Sequence, residues 1–366
     1  MANTYKIVIS GYYGFDNIGD EAVLYTIIST LKKEISGAKI MVLSNNPEKT
    51  AQIYGVQSIN RWDFKNIARV IRNCDLLVSG GGSLLQDVTS SKTIPYYLAI
   101  VKLAQMYKKK VVFYSQGIGP VNKKLGRWLI KRVANKVDAI FVRDEASKTL
   151  LQEIGVKKEI GVAIDPVLGI ATTNKKDKLG KTVGIYIRPW ENEEQNQKMI
   201  ISMKEGLVKL LEDGYRLYMV PMHYEQDLEI SKALKASLEI EMKNKGLDLE
   251  NYITVLDKKL SIKEVLRYTS QFDFIIGMRL HSLIMASANC VPMIGLSYDP
   301  KVTEFIKQIG VPYCIDVKKI DTITFKSNIE SLIGDLAGQE ILLKESYEKN
   351  KNKLQLPIES IKKLLK

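Results

Sequence analysis

Short runs rich in β-branched and aromatic residues alternate with helical stretches along nearly the whole chain, and this alternation sets the narrowest limit on its fold. Strands are predicted at Lys6 to Ser10, Ile40 to Leu43, Leu76 to Ser79, Val111 to Tyr114 and Ala139 to Val142, with helical patterns between them. After a polar segment, ATTNKKDKLGKT (Ala171 to Thr182), the same grammar restarts at Val183 to Ile187, Leu217 to Val220, Ile253 to Leu256, Phe272 to Ile276 and Pro292 to Leu296. A strand that returns parallel to its predecessor needs a crossover, and a helix fills it. The expectation is an α/β protein of two Rossmann-like, doubly wound domains facing a cleft, over residues 1–172 and 183–338. A tail over 339–366 mixes charged and apolar residues in a helical pattern, and its packing partner is not legible. A chain of 366 residues is long enough for two full cores.

Hydrophobic content of 45% with 26% charged residues is that of a soluble globular protein. The opening MANTYKIVIS runs straight into a strand without a basic leader, so no export signal is expected. The longest apolar stretch, around 272–296, is broken by Arg279, His281 and Asn289 and is not expected to span a membrane. Three widely spaced cysteines, Cys74, Cys290 and Cys314, suggest reduced thiols in a cytoplasmic protein, with neither a disulfide framework nor a zinc site. The formal charge of +13 asks for a partner. Nucleic acid is disfavoured, because no binding motif is present and the lysines are dispersed. An anionic membrane surface is favoured by KKLGRWLIKRVANKV (Lys123 to Val137), which sets Leu125, Trp128, Leu129 and Val133 along one helical face among lysines and arginines. An ordinary outer helix is an equally good reading of that segment.

The stretch from Phe272 to Lys301 carries the chemistry. It reads as a strand, a tight turn at Gly277, an apolar helix and a second strand opening into a loop. Arg279 and His281 sit at the end of the first strand and Lys301 beyond the second. A parallel sheet binds its ligands at the carboxyl ends of its strands, so these groups are expected to converge there. The start of the helix beside Arg279 adds a further preference for an anion. Arg188 and His223 follow two other strands of the same domain and are candidate contributors. His281 is one of only two histidines in the chain.

In the first domain, SGYYGFDNIGDEAVL (Ser10 to Leu24) turns from the first strand into a helix with Asn17, Asp20 and Glu21 at the turn. Asp20 suits either sugar hydroxyls or a helix cap. The triple glycine Gly80, Gly81 and Gly82 in SGGGSLLQD would let backbone approach a ligand closely. FVRDEAS places Arg143 after the fifth strand. Gly180, Lys181 and Thr182 lack the spacing of a phosphate loop, and Asp248 and Glu250 fall in a polar segment, so no metal site and no cofactor are expected.

Taken together and in this order, GYYGFDNIGDEAVL, SGGGSLLQD, QGIGP (Gln116 to Pro120), FVRDEAS, GMRLHSLIMA and SYDPKV resemble the polysaccharide pyruvyl transferase family, particularly its bacterial CsaB-type members. The resemblance runs from about residue 5 to 310. It implies a GT-B-like fold and transfer of pyruvate from phosphoenolpyruvate to a sugar as a cyclic ketal. In the CsaB-type branch the acceptor is an N-acetylmannosamine residue of a lipid-linked secondary cell-wall polymer precursor, whose product anchors surface-layer proteins. Such a protein would work at the inner face of the cell membrane. The family's functional positions match Arg143, then Arg279, Leu280 and His281, then Lys301. Under this reading Arg143, Arg279 and Lys301 hold the donor's carboxylate and phosphate, and His281 gives or takes a proton. Asn17, Asp20 and the triple glycine face the acceptor. Two other functions compete: a GT-B glycosyltransferase using a nucleotide sugar, and a silent binding protein for anionic cell-wall precursors.

Overall fold

The computed structural model describes residues 4–170, 179–246 and 251–366. Most of the polar segment 171–182, and the Asp248 and Glu250 pair, lie outside the described residues. The chain divides into two units, one of residues 1–169 with 350–366, the other of residues 170–349.

The first unit holds β1 (Tyr5–Ser10), β2 (Ala38–Ser44), β3 (Gln57–Asn60), β4 (Leu76–Ser79), β5 (Gly82–Leu85), β6 (Lys110–Ile118), β7 (Ala139–Val142) and β8 (Ile160–Val162). They form one sheet in the order β3-β2-β1-β4-β6-β7-β8, with β5 beside β6, and every pairing is parallel. In the second unit β9 (Thr182–Tyr186), β10 (Arg216–Met219), β11 (Ile253–Val255), β12 (Phe274–Gly277), β13 (Met293–Ser297) and β14 (Cys314–Asp316) run in the order β11-β10-β9-β12-β13-β14, again all parallel. Both expected doubly wound α/β sheets are present. Their central strands are buried at every position, as in β4, β9, β12 and β13, because helices cover both faces. That is why these strands read as continuous apolar runs.

The strands β3, β5, β8 and β14 have no counterpart in the sequence reading. They are three or four residues long, and β3 is nowhere fully buried, so the apolar signal is weak there. The tail expected over 339–366 is divided. The helix Leu336–Asn350 belongs almost wholly to the second unit. The helix Leu356–Leu364 returns to the first, where Ile358 and Ile361 are fully buried and the helix meets β6, β7 and the helix Ile18–Glu34.

The basic segment forms the helix Lys124–Ala134, but its apolar residues do not share one face. Gly126, Ile130, Val133 and Ala134 are buried, whereas Leu125 and Trp128 are 63% and 53% exposed. Arg132 lies with its guanidinium 5.4 Å from the Trp128 ring centroid. No helix among the described residues is long and apolar enough to cross a membrane.

Candidate active site

In the second sheet, β10 and β11 wind out on one side of β9, and β12 to β14 on the other, so the winding reverses between β9 and β12. Loops leaving adjacent strands at such a point part and leave room for a ligand. Arg188 follows β9 and Arg279 follows β12, and the Met278 N–H donates to the Tyr186 carbonyl at 2.9 Å, which keeps the two strand ends together. His223 follows β10, and Tyr298 and Lys301 follow β13.

Arg279 caps the helix Leu280–Ala288 through its backbone, and its side chain is gripped by Asp227. Its Nε donates to Asp227 Oδ2 at 3.1 Å, and Nη2 donates to Oδ1. Asp227 is fully buried and also accepts the N–H groups of Met222 at 3.1 Å and His223 at 2.9 Å. A buried carboxylate with this many donors fixes a planar guanidinium in two dimensions. His223 sits beside this pair. Burial, with help from the Arg279 charge, lowers its pKa from 6.5, while Asp227 opposes the shift. Its Nδ1 is buried without a hydrogen-bond partner.

Three cations converge on one phenol. The Arg188 Nη1 donates to the Tyr298 hydroxyl at 3.2 Å, with its guanidinium carbon 4.8 Å from the ring centroid. The Lys301 Nζ is 5.6 Å from the same centroid. Burial would push the Tyr298 pKa up, but Lys301, Arg188 and Arg279 together pull it below the ordinary phenol value. Because the hydroxyl oxygen accepts from Arg188, its own proton remains available to a ligand oxygen. Lys301 is also paired at 3.1 Å with Asp299, which caps the helix Pro300–Ile309. Arg188 bonds the Pro189 carbonyl at 3.1 Å and, among the described residues, pairs with no carboxylate. His281 lies in the first turn of the helix Leu280–Ala288, partly buried, behind Leu280, which is buried.

Two of these cations are matched by carboxylates within the fold. Asp227 and Asp299 already neutralise Arg279 and Lys301, leaving Arg188 as the cation of this group without an acidic partner. Neither Asp227 nor Tyr298 stands out as a site residue from sequence pattern alone. The one clue lay in spacing, with Asp227 four residues after His223 and Tyr298 three before Lys301.

The first unit holds the remaining candidates. Arg143 is nearly buried and lies against Asp144 at 3.2 Å, Asp165 at 3.6 Å and the Ser83 hydroxyl at 3.2 Å. Asn17, not Asp20, caps the helix Ile18–Glu34, its Oδ1 accepting the Gly19 N–H at 3.1 Å. A side chain at Gly80 would strike the Tyr13 hydroxyl 2.1 Å away and one at Gly81 the Val23 methyl at 2.8 Å, so internal packing already requires glycine at both. Gly82 has a positive φ of 84° and lies beside Asp20 Oδ1. Among the described residues, no three His, Cys, Asp or Glu side chains are grouped so as to hold a metal ion.

Known proteins bear on this arrangement in three ways. The chain is 20% identical over 372 residues to the amylovoran biosynthesis protein AmsJ of Erwinia amylovora, covering 84% of this chain and 86% of that protein. Its fold is similar to that of S. aureus MnaA solved with UDP, at a TM-score of 0.64 and 11% identity over 94% of this chain and 92% of that one. A glycosyltransferase from Rickettsia africae matches with a TM-score of 0.64 and 14% identity over 100% and 99% of the two chains. These likenesses establish the GT-B type of fold. The sequence description of polysaccharide pyruvyl transferases matches residues 17–300, and the chain belongs to the polysaccharide pyruvyl transferase family.

Proposed function

We propose that this protein transfers pyruvate from phosphoenolpyruvate to a sugar of a lipid-linked cell-wall polysaccharide precursor, forming a cyclic ketal and releasing phosphate. The observation that carries the reading is the meeting of Arg188, Arg279 and Lys301 around Tyr298, where β9, β12 and β13 end. A small donor with a carboxylate and a phosphate needs several cations in fixed positions. Charge-assisted hydrogen bonds contribute about 1.5–3 kcal/mol each, enough for a few to hold such a metabolite. Arg188 supplies the cation without an acidic partner, Arg279 the rigid one and Lys301 the flexible one. The family resemblance implies a functional role for Arg143 as well.

The chemistry proceeds by an addition and then a substitution. A proton is delivered to the methylene carbon of the donor, leaving an oxocarbenium-like centre at C2. One sugar hydroxyl attacks C2 and gives up its proton. The C2–oxygen bond to phosphate then breaks, the phosphate leaves with the electron pair, and a second hydroxyl closes the ring and loses its proton. His281, in the Arg-Leu-His motif that matches the family, is assigned to give or take a proton. His223, held neutral, is suited to accept a hydroxyl proton, and Tyr298 to donate to the departing phosphate.

On the acceptor side the reading assigns Asn17, Asp20 and the Gly80 to Gly82 loop. The CsaB-type resemblance specifies N-acetylmannosamine as the acceptor sugar and anchoring of surface-layer proteins as the outcome. Work at the inner face of the membrane is supported by the outward Leu125 and Trp128, set among Lys123, Lys124, Lys131 and Arg132.

The test is to incubate the protein with phosphoenolpyruvate and an N-acetylmannosamine-containing acceptor, following phosphate release and acceptor mass. A gain of one pyruvate less one water is expected. Tyr298→Phe should lower turnover by about a hundredfold with a smaller change in donor KM, and Arg279→Ala should abolish donor binding. Binding of a nucleotide sugar with no binding of phosphoenolpyruvate would instead make the protein a glycosyltransferase.

A further inference from the structure

Far from the groups just described in sequence, Arg61 follows β3 and is only 4% exposed. Its Nη1 donates to the Gly11 carbonyl at 3.1 Å and its Nη2 to the Tyr97 hydroxyl at 3.3 Å. Its Nε is buried with no partner, and among the described residues no carboxylate pairs with it. Aromatic rings take that place. The guanidinium carbon lies 4.4 Å from the centroid of Tyr96, 5.2 Å from Phe15, 5.3 Å from Trp62, 5.4 Å from Tyr97 and 6.0 Å from Tyr12.

The rings come from separate parts of the first unit. Tyr12 and Phe15 lie in the loop after β1, and stack at 4.0 Å with planes 4° apart. Trp62 follows β3, and Tyr96 and Tyr97 lie in the helix Thr93–Met106. Tyr96 also donates its hydroxyl proton to the Arg61 carbonyl at 2.8 Å. A cation attracts the negative face of each ring, so Arg61 ties the group together from below. Above it the surface is open, for Tyr12 is 38% and Trp62 56% exposed. Burying an arginine beneath exposed aromatic rings is costly if the rings serve only to cover a core.

The place is telling. The loops after β1 and β3 leave the carboxyl end of the sheet, where parallel sheets bind ligands, and the winding reverses between β1 and β4. The charges of both Asp20 and Arg61 act on the Tyr12 and Tyr97 phenols, which puts a carboxylate and a guanidinium around the same rings. An exposed aromatic face with a carboxylate close by suits a ring whose faces are C–H groups and whose edge carries hydroxyls. We infer that Tyr12 and Trp62, held in place by Arg61, form a stacking platform for a pyranose unit of the acceptor glycan. This deepens the acceptor side of the proposed function and rests on that reading. Arg61 acts as a positioning residue, because it meets the rings and not the sugar.

The full chain is tested on an array of hexose, N-acetylhexosamine and uronic acid oligosaccharides without phosphoenolpyruvate, and donor affinity is measured in parallel. Trp62→Ala and Tyr12→Ala should each weaken glycan binding at least about tenfold and leave donor affinity within about twofold. Trp62→Phe, which keeps a ring, should restore most of the loss. Arg61→Met should weaken glycan binding as well, and Arg61→Lys should recover part of it, which a purely space-filling role would not produce. No glycan bound by the wild-type chain, unchanged glycan affinity in both alanine variants, or displacement of the glycan by uridine would overturn the platform. Glycan binding that depends on Trp62, without any donor binding, would uphold the platform and defeat the pyruvyl transfer reading.

Discussion

Asp227 determines how the most constrained cation of the second unit behaves. Asp227→Asn keeps the shape but leaves the Arg279 guanidinium against a neutral amide in a buried setting. Breaking a buried pair on one side costs about 3–5 kcal/mol, so the urea midpoint of the variant should fall markedly, and phosphoenolpyruvate binding should weaken with it. His223 offers a second test at this scale. Its folded pKa is lowered from 6.5, so the folded chain holds fewer protons there than the unfolded one at mildly acidic pH. The contribution of neutral His223 to stability is fully present above pH 6.5 and is lost as pH falls toward the folded value. Unfolding free energy should therefore decline below that pH, and His223→Asn should flatten the slope. With only two histidines in the chain, imidazole resonances in the wild type and the variant assign the titration directly. Occupation by an anion that offsets Arg279 should raise the same pKa.

At the scale of elements, the loops after the strands do the positioning and the strands keep them in register. Gly117, within β6, shows how closely this is built, since a Cβ there would lie 2.6 Å from the Arg143 guanidinium carbon. Arg143 is enclosed by Asp144, Asp165 and Ser83, so it has little room to withdraw. Gly117→Ala should destabilise by about 1–3 kcal/mol through overpacking. Removing the arginine relieves that clash, so the loss in Gly117→Ala with Arg143→Ala should fall short of the sum of the single losses in a thermal unfolding cycle. The helix Lys124–Ala134 shows the limit of pattern reading at this scale. Its composition reads as one apolar stripe, yet the residues that are buried are Gly126, Ile130, Val133 and Ala134, and Leu125 and Trp128 are left outside.

For the whole molecule, the return of residues 350–366 to the first unit means that unit is completed by the far end of the chain. A chain ending at Lys349 loses the fully buried Ile358 and Ile361. Each is worth about 1.5–3 kcal/mol of burial, so the first unit should melt earlier while the second keeps its transition, as calorimetry or limited proteolysis would show. The sequence by itself determined the two parallel α/β sheets, because strands buried on both faces must be apolar throughout and crossovers must be helical. It also brought Arg188, Arg279, His281 and Lys301 to the carboxyl ends of strands, since strand ends can be read from where apolar runs stop. Only the tertiary structure decided the partners. Asp227 meets Arg279 from 52 positions away and Tyr298 meets Arg188 from 110 away, and Arg61 draws rings from three separate segments. The division of the tail was decided in the same way. Local patterns of hydrophobicity fix elements and their ends, whereas the pairing of charges and rings depends on which loops the sheet order makes neighbours.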